Sequence, residues 1–197
     1  NECGERVPFT FADWNPEEGW VEFIFMVIGK TTQMLSTYEA GDSLQDVTGP
    51  LGEPTEMGEG KWAVIGGGVG LAIAFPVARQ LAAAGREVHA IMGARTKELL
   101  LLEDQFRSIL DDDHIHITTD DGSLGEKGVV TAPLERLLQE KKVDRVFCVG
   151  PVPMMKFSTL TAEKYDTPII ASLNPIMVDG TGMCGCCRVE VGGETKF

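Results

Sequence analysis

The chain has 197 residues, of which 43% are hydrophobic and 24% charged, with a formal net charge of −13. That length and apolar content suit one large or two small domains with a real core, and no apolar run is long enough for a membrane-spanning helix. The acid is concentrated at the front, where residues 1–60 carry twelve of the thirty acids but only two of the seventeen bases, a balance that argues against nucleic acid or another polyanion as partner.

The chain opens at Asn1 without methionine or a signal peptide, so a fragment of a cytoplasmic protein with missing ends is expected. The cysteines number five, and three of them fall at 184, 186 and 187. Crowding of that kind, without a secretion signal, points to metal before disulfides.

In chain order, residues 1–58 read as β structure. "WVEFIFMVIG" is a β-rich apolar run, and "DVTGPLGEP" is the turn-forming stretch that ends it. A lone hairpin is not stable, so these strands are expected to be part of an antiparallel barrel whose first strands precede Asn1. Residues 59–171 alternate strand and helix. "KWAVIGGGVG" is a buried strand, "LAIAFPVARQLAAAG" a helix closed by Gly85, and "EVHAIMGAR" a strand. "ELLLLEDQFRSIL" follows as a helix, "HIHITTDDG" as a strand and "VVTAPLERLLQEKK" as a helix. "VDRVFCVGP", "MMKFSTLTAEKY" and "TPIIASL" complete the series as strand, helix and strand. Strands this apolar, separated by helices, predict a doubly wound parallel sheet covered on both faces. Residues 172–197 form a third block, a cysteine loop followed by "CRVEVGGETKF", a strand and a turn.

Three strand ends carry chemistry. "VIGGGVG" places Gly66, Gly67, Gly68, Val69 and Gly70 between strand and helix. Glycines there let backbone amides reach a pyrophosphate at the helix N-terminus, although any tight strand-to-helix joint uses glycine too. No acid ends the next strand to hold a ribose; Arg95 and Thr96 stand there instead. "TTDDGS" puts Asp120, Asp121 and Gly122 at another end, where the bland alternative is a simple turn. "CVGPVPM" puts Cys148, Gly150, Pro151 and Met154 at a third, where Cys148 also reads as a small buried hydrophobe. Ligands of open α/β sheets bind outside the carboxyl ends of strands, so the three ends are expected to line one cleft.

"GGGVGLA", "GARTKELLLLEDQF", "TDDGSLGEKGVVT" and "CVGPVPMM", in that order, resemble the NAD-binding half of ferredoxin–NADP reductase-type flavoproteins. Within that superfamily the chain is most similar to the electron-transfer subunits of NADH-dependent ferredoxin:NADP oxidoreductases, with those of dihydroorotate dehydrogenases as the alternative; "SLNPIMVDGTGMCG" is the most specific stretch. The resemblance implies that residues 1–58 end a flavin-binding barrel. "RVPFT" then matches a flavin motif, with Arg6 on the FAD pyrophosphate and Pro8, Phe9 and Thr10 bordering the isoalloxazine. "IGKTT" matches a second one, Gly29, Lys30, Thr31 and Thr32, where the family usually has glycine in place of Thr31. Without the resemblance, Arg6 is a surface residue and "GKTT" a loop. The same likeness puts NAD(H) across Gly66–Gly70, its adenosine side near Arg95, Thr96 and the Asp120–Gly122 turn, its nicotinamide near Cys148, Gly150 and Pro151. Hydride chemistry would then be the cofactors', with the protein supplying orientation.

For the cysteine loop, plant-type [2Fe–2S] ligation has the spacing C-x4-C-x2-C and a distant fourth cysteine. Cys184 and Cys187 meet the second half of that pattern, and the position five before Cys184 is Asp179. The resemblance implies that Asp179 is an oxygen ligand to iron, a hard donor suited to Fe(III), and that a fourth ligand would lie just past Phe197. Cys186, where the family usually has glycine, is a spare thiol or an alternative ligand. A zinc half-knuckle and a thioredoxin-like thiol pair compete with this reading, the first as part of a non-catalytic, nucleotide-binding assembly module. His89 and His116 read as core or edge residues of strands, His114 as a loop residue. The expected partners are a larger flavin and iron–sulfur oxidoreductase subunit and, indirectly, ferredoxin; the alternative is a dihydroorotate dehydrogenase.

Overall fold

The computed structural model describes residues 6–52, 54–173, 176–181 and 183–196. Its first turn is built by Asn15, whose side-chain oxygen accepts the amides of Glu17 and Glu18 at 2.9 and 3.1 Å. Gly19 supplies the left-handed backbone, φ +74°, that closes it. The flanking strands β1 (Phe11–Asn15) and β2 (Trp20–Phe23) pair antiparallel. The apolar run continues past Phe23 without strand structure, and Met26, Val27 and Ile28 are exposed. Among the described residues no further strand pairs with this hairpin, so nothing there satisfies an extended backbone. "GKTT" is not a loop: it opens the short helix α1 (Lys30–Leu35), where the Thr32 hydroxyl accepts the amides of Ile28 and Gly29, each at 3.0 Å.

Beyond residue 60 strands and helices alternate. β3 (Trp62–Gly67) leads to α2 (Leu71–Ala83), which stops at Gly85, φ +73°. β4 (Val88–Ala94), α3 (Glu103–Ile109) and β5 (Ile115–Thr119) follow, then the two-residue β6 (Glu126–Lys127). α4 (Thr131–Gln139), β7 (Arg145–Val149), α5 (Val152–Glu163) and β8 (Ile169–Ala171) complete the series. The six strands form one sheet in the order β6-β5-β4-β3-β7-β8, every pairing parallel. Trp62 and Val64 join the core that holds Phe75 of α2 and Phe106 of α3, while Ala63 and Ile65 join the core of α4 and α5. Burial on both faces is why β3 reads as one unbroken apolar run.

The helix expected over "ELLLLEDQFRSIL" is shorter. Leu100, Leu101 and Leu102 pack one by one against the sheet core, and Leu102 is left-handed, φ +62°. Three consecutive leucines do not share one helical face, and the helix starts at Glu103 and Asp104, acids that favour its N-terminal dipole.

After Leu173 come the cysteine loop and a hairpin, β9 (Val189–Val191) with β10 (Glu194–Lys196), turned by Gly192 and Gly193 at positive φ. The chain forms two compact units interleaved in sequence. One holds Asn1–Thr10, Phe25–Glu56 and Leu173–Phe197, the other Phe11–Ile24 and Met57–Ser172. The β1–β2 hairpin thus clusters with the parallel sheet. The Arg79 side chain of α2 makes an ion pair with Asp13 and lies over the Trp14 ring, 4.4 Å from its centroid. Among the described residues no helix is long and apolar enough to cross a membrane.

Candidate nucleotide and metal sites

From β3 the chain runs to β4 on one side of the sheet, and β7 continues to β8 on the other. The carboxyl ends of β3 and β7 thus flank the topological switch point, where doubly wound sheets bind nucleotides. Three of the four glycines there serve close packing. A methyl group on Gly66 would meet Leu71 Cδ2 at 2.7 Å and Ala74 Cβ at 3.0 Å. On Gly67 it would strike the Met154 sulfur and Pro151, and on Gly70 it would lie 2.6 Å from the Val149 carbonyl oxygen. Gly68 differs: its φ is +56° and nothing lies within 4 Å of where a Cβ would be. Val69 beside it is exposed. The first turn of α2 holds no acid, so the positive end of the helix dipole is left for an anion.

The neighbouring strand ends are stitched together. The amides of Asp120 and Asp121 donate to the carbonyls of Ala94 and Arg95 at 3.2 and 3.3 Å, and the Lys97 amide donates to Ser123 Oγ at 2.8 Å. Asp121 accepts the Ser123 hydroxyl and amide, bonds that hold its carboxyl below the usual range. Gly122 turns the chain at φ +78°. Arg95 is exposed, and among the described residues its side chain has no hydrogen-bond or ion-pair partner; Thr96 next to it is half-buried. The two segments expected on the adenosine side thus share one edge. Ser123 was not singled out in the sequence, although a serine two residues after an aspartate is the usual mark of an Asx turn.

At the end of β7, Gly150 takes φ +151°, Pro151 precedes α5, and half-buried Met154 packs over Gly67 and Gly150. Cys148 lies inside the strand with no exposed surface, in the core of α4 and α5. Burial pushes its thiol up to about 11. Its side chain belongs to the core, as a small hydrophobe's would.

The other unit carries the remaining candidates. Arg6 is exposed and pairs with Asp46 at 2.8 Å. Half-buried Pro8 and Phe9 precede exposed Thr10, and the Phe9 ring lies 5.4 Å from that of Phe25. Gly29 and Lys30 are exposed and Thr31 half-buried, while the Thr32 hydroxyl is engaged in capping α1. In the cysteine loop, the Asp179 carboxylate accepts the Thr181 amide and hydroxyl, each at 2.9 Å, and the Cys184 amide at 3.1 Å. These bonds, the Thr181 amide first, hold its carboxyl below the usual carboxylate range. Positive φ at Gly180 and Gly185, +72° and +64°, gives the loop its turns. Cys184 and Cys186 are exposed, Cys187 is half-buried, and the neighbouring Cys184 raises the Cys186 thiol. Cys3, Asn174, Pro175, Gly182 and Phe197 lie outside the described residues.

The parallel sheet with glycines at its switch point defines a pyridine-nucleotide-binding oxidoreductase domain of the ferredoxin–NADP reductase type, and residues 64–159 match the oxidoreductase NAD-binding domain family. Over 198 residues the chain is 50% identical to the dihydroorotate dehydrogenase B (NAD(+)) electron transfer subunit homolog of Thermotoga maritima, covering all of this chain and 69% of that protein. A probable dihydroorotate dehydrogenase B (NAD(+)) electron transfer subunit of Methanocaldococcus jannaschii is 34% identical over 96% of this chain and 70% of its own length. Among solved structures, a chain of the NADH-dependent reduced ferredoxin-NADP oxidoreductase, studied for flavin-based electron bifurcation, superposes with TM-score 0.87 at 50% identity, covering all of this chain and 71% of that one. The cytochrome b5 reductase domain of Ulva prolifera nitrate reductase, at TM-score 0.56 and 24% identity over 72% of this chain and 63% of that one, shares the fold alone. The chain belongs to the family of electron-transfer subunits of the dihydroorotate dehydrogenase B and NADH-dependent ferredoxin-NADP oxidoreductase type.

Proposed function

We propose that this chain passes electrons between NAD(H) and a larger oxidoreductase subunit by way of FAD and a [2Fe–2S] cluster. The observation that carries the nucleotide half is the switch point, where Gly67, Gly70 and Gly150 let two turns close together and Gly68 stays open beside an acid-free helix start. There the amides of residues 68–70 hold a pyrophosphate, Met154 and Pro151 bound the nicotinamide side, and Arg95 meets the adenosine end.

For the flavin, Arg6 offers an exposed guanidinium whose ion pair with Asp46 a pyrophosphate can replace. Pro8, Phe9 and Thr10 border the ring, and the Gly29–Thr32 stretch offers amides. For the cluster, the donor chemistry fits: one carboxylate held ionised, and two thiols, with residues 179 and 184 already joined by a hydrogen bond. Asp179, Cys184 and Cys187 would hold the iron; hard oxygen and soft sulfur are both iron donors. When bound, the nicotinamide and flavin supply hydride chemistry and the cluster supplies one-electron transfer. The exposed row Met26, Val27 and Ile28 suits cover by further protein.

The test uses the natural complex, purified without oxygen. NADH is expected to bleach a flavin spectrum and raise an EPR signal, with two irons on this chain in addition to those of the partner subunit. Zinc in place of iron, or a preparation with no flavin, overturns the reading. The names of the relatives favour a second identity for the partner, a dihydroorotate dehydrogenase; reduction of the complex by dihydroorotate decides between the two.

A further inference from the structure

The three histidines of the chain meet at one place. His89 and His116 are the second residues of β4 and β5, and His114 ends a single 3-10 turn, Asp112–His114, just before β5. They therefore lie at the amino ends of the strands, on the sheet edge opposite the glycine turns. The His89 ring centroid is 4.5 Å from that of His114 and 5.3 Å from that of His116.

Within this cluster one buried nitrogen lacks a hydrogen-bond partner. His89 Nδ1 and His116 Nε2 share one hydrogen bond of 3.1 Å, and His114 Nδ1 is bonded to Asp113 Oδ1 at 3.0 Å. Because Asp113 only accepts, Nδ1 of neutral His114 carries the proton and Nε2 the lone pair. His89 is 5% exposed, and its Nε2 is buried with no hydrogen-bond partner. In the tautomer whose Nδ1 donates to His116, that Nε2 is a lone pair too. Its nearest charged neighbour is Glu87 Oε1 at 3.8 Å, too far for a hydrogen bond and itself an acceptor. Glu87 in turn reaches Lys61 Nζ at 3.2 Å through its other oxygen. One ligand atom each from Glu87, His89 and His114 lie within 4.8 Å of one another.

An unpartnered buried nitrogen costs about 1–3 kcal/mol and calls for an explanation. A cation shared by two imidazole nitrogens and a carboxylate oxygen satisfies all three acceptors at once.

We propose that Glu87, His89 and His114 form a binding site for a divalent cation of the zinc class, with Asp113 positioning the His114 ring. Two nitrogens and one carboxylate oxygen suit zinc, and also cobalt or nickel, over magnesium or calcium. The Asp113–His114 bond is the outer-shell carboxylate that metal-bound histidines usually have. Tetrahedral zinc places its ligand atoms about 3.3 Å apart, so the cluster must tighten. His114 and Glu87 reach solvent and can turn to do so, while His89 is fixed. The bound ion would tie the start of β4 to the turn before β5.

The test is one equivalent of Zn²⁺ added to the natural complex, followed by gel filtration and zinc-edge X-ray absorption. A retained zinc with an all-nitrogen-and-oxygen shell and imidazole scattering is expected, and excess Mg²⁺ should not displace it. His114→Gln should weaken Zn²⁺ binding at least about tenfold and leave NADH oxidation unchanged. Zinc lost on the column, a shell containing sulfur at about 2.3 Å, or unaltered affinity in His114→Gln each overturns the site. The sulfur shell would place the metal on the cysteine loop instead.

Discussion

A methyl group on Gly70 would lie 2.6 Å from the carbonyl oxygen of Val149. Both partners are backbone, so neither can swing aside. Gly70→Ala is expected to cost on the order of 2–3 kcal/mol of stability by overpacking. Gly68→Ala meets open space and pays only for its left-handed φ, about 1 kcal/mol, yet it places a methyl where the proposed pyrophosphate would sit. Urea unfolding and NADH titration should separate them: Gly70→Ala fails chiefly in stability, Gly68→Ala chiefly in binding.

Arg79 holds the β1–β2 hairpin to α2 through Asp13 and the face of Trp14. Its replacement by alanine should cost about 1–2 kcal/mol, from the half-buried pair and the stacked guanidinium together. Lysine should not restore the loss, because a point charge does not lie flat on an indole. Tryptophan fluorescence during denaturation reports both variants.

Cys148 supplies a pH prediction. Its folded thiol is raised from 9.0 to about 11, so the unfolded chain releases this proton first. The stabilisation is complete below pH 9 and drains away as pH climbs through 11, about 3 kcal/mol at most. Cys148→Ala should flatten that part of the stability curve. Iodoacetamide at pH 8 should label exposed Cys186 and spare Cys148 until the chain unfolds.

Asp179→Ala should lower iron content and abolish the reduced EPR signal, whereas Asp179→Cys should keep a two-iron centre with a changed spectrum. Cys186→Ser should leave iron content as it was. Iron analysis beside EPR of the purified complex measures all three; full iron in Asp179→Ala would remove the carboxylate from the ligand set.

Much of the sheet was legible. "KWAVIGGGVG" announced β3 and its turn because a strand covered on both faces must be apolar throughout. The leucine run at 99–102 misled because composition favoured a helix, whereas Leu100, Leu101 and Leu102 pack separately against the core and Leu99 stays exposed. Residues 24–29 look like strand by propensity alone, and propensity yields where no neighbouring strand takes the hydrogen bonds.

Within the sites, the residues of the glycine turn were legible but their division of labour was not. Whether a glycine is there for a ligand or for a neighbour depends on what lies opposite, and Met154 and Val149 are some eighty residues away in the chain.

The sequence by itself determined the alternation of strand and helix, the glycine turn at the end of β3, and the spacing of Asp179 with its cysteines. These are local matters of periodicity, backbone freedom and ligand count. Only the tertiary structure decided that the β1–β2 hairpin joins the parallel sheet's unit and that His89 and His114 come together beside Glu87. The hairpin's place rests on Arg79 meeting Asp13 and Trp14 across 66 positions of chain, and the histidine meeting on parallel strand register, which sets residues 25 positions apart side by side; neither leaves a mark in any short stretch of chain.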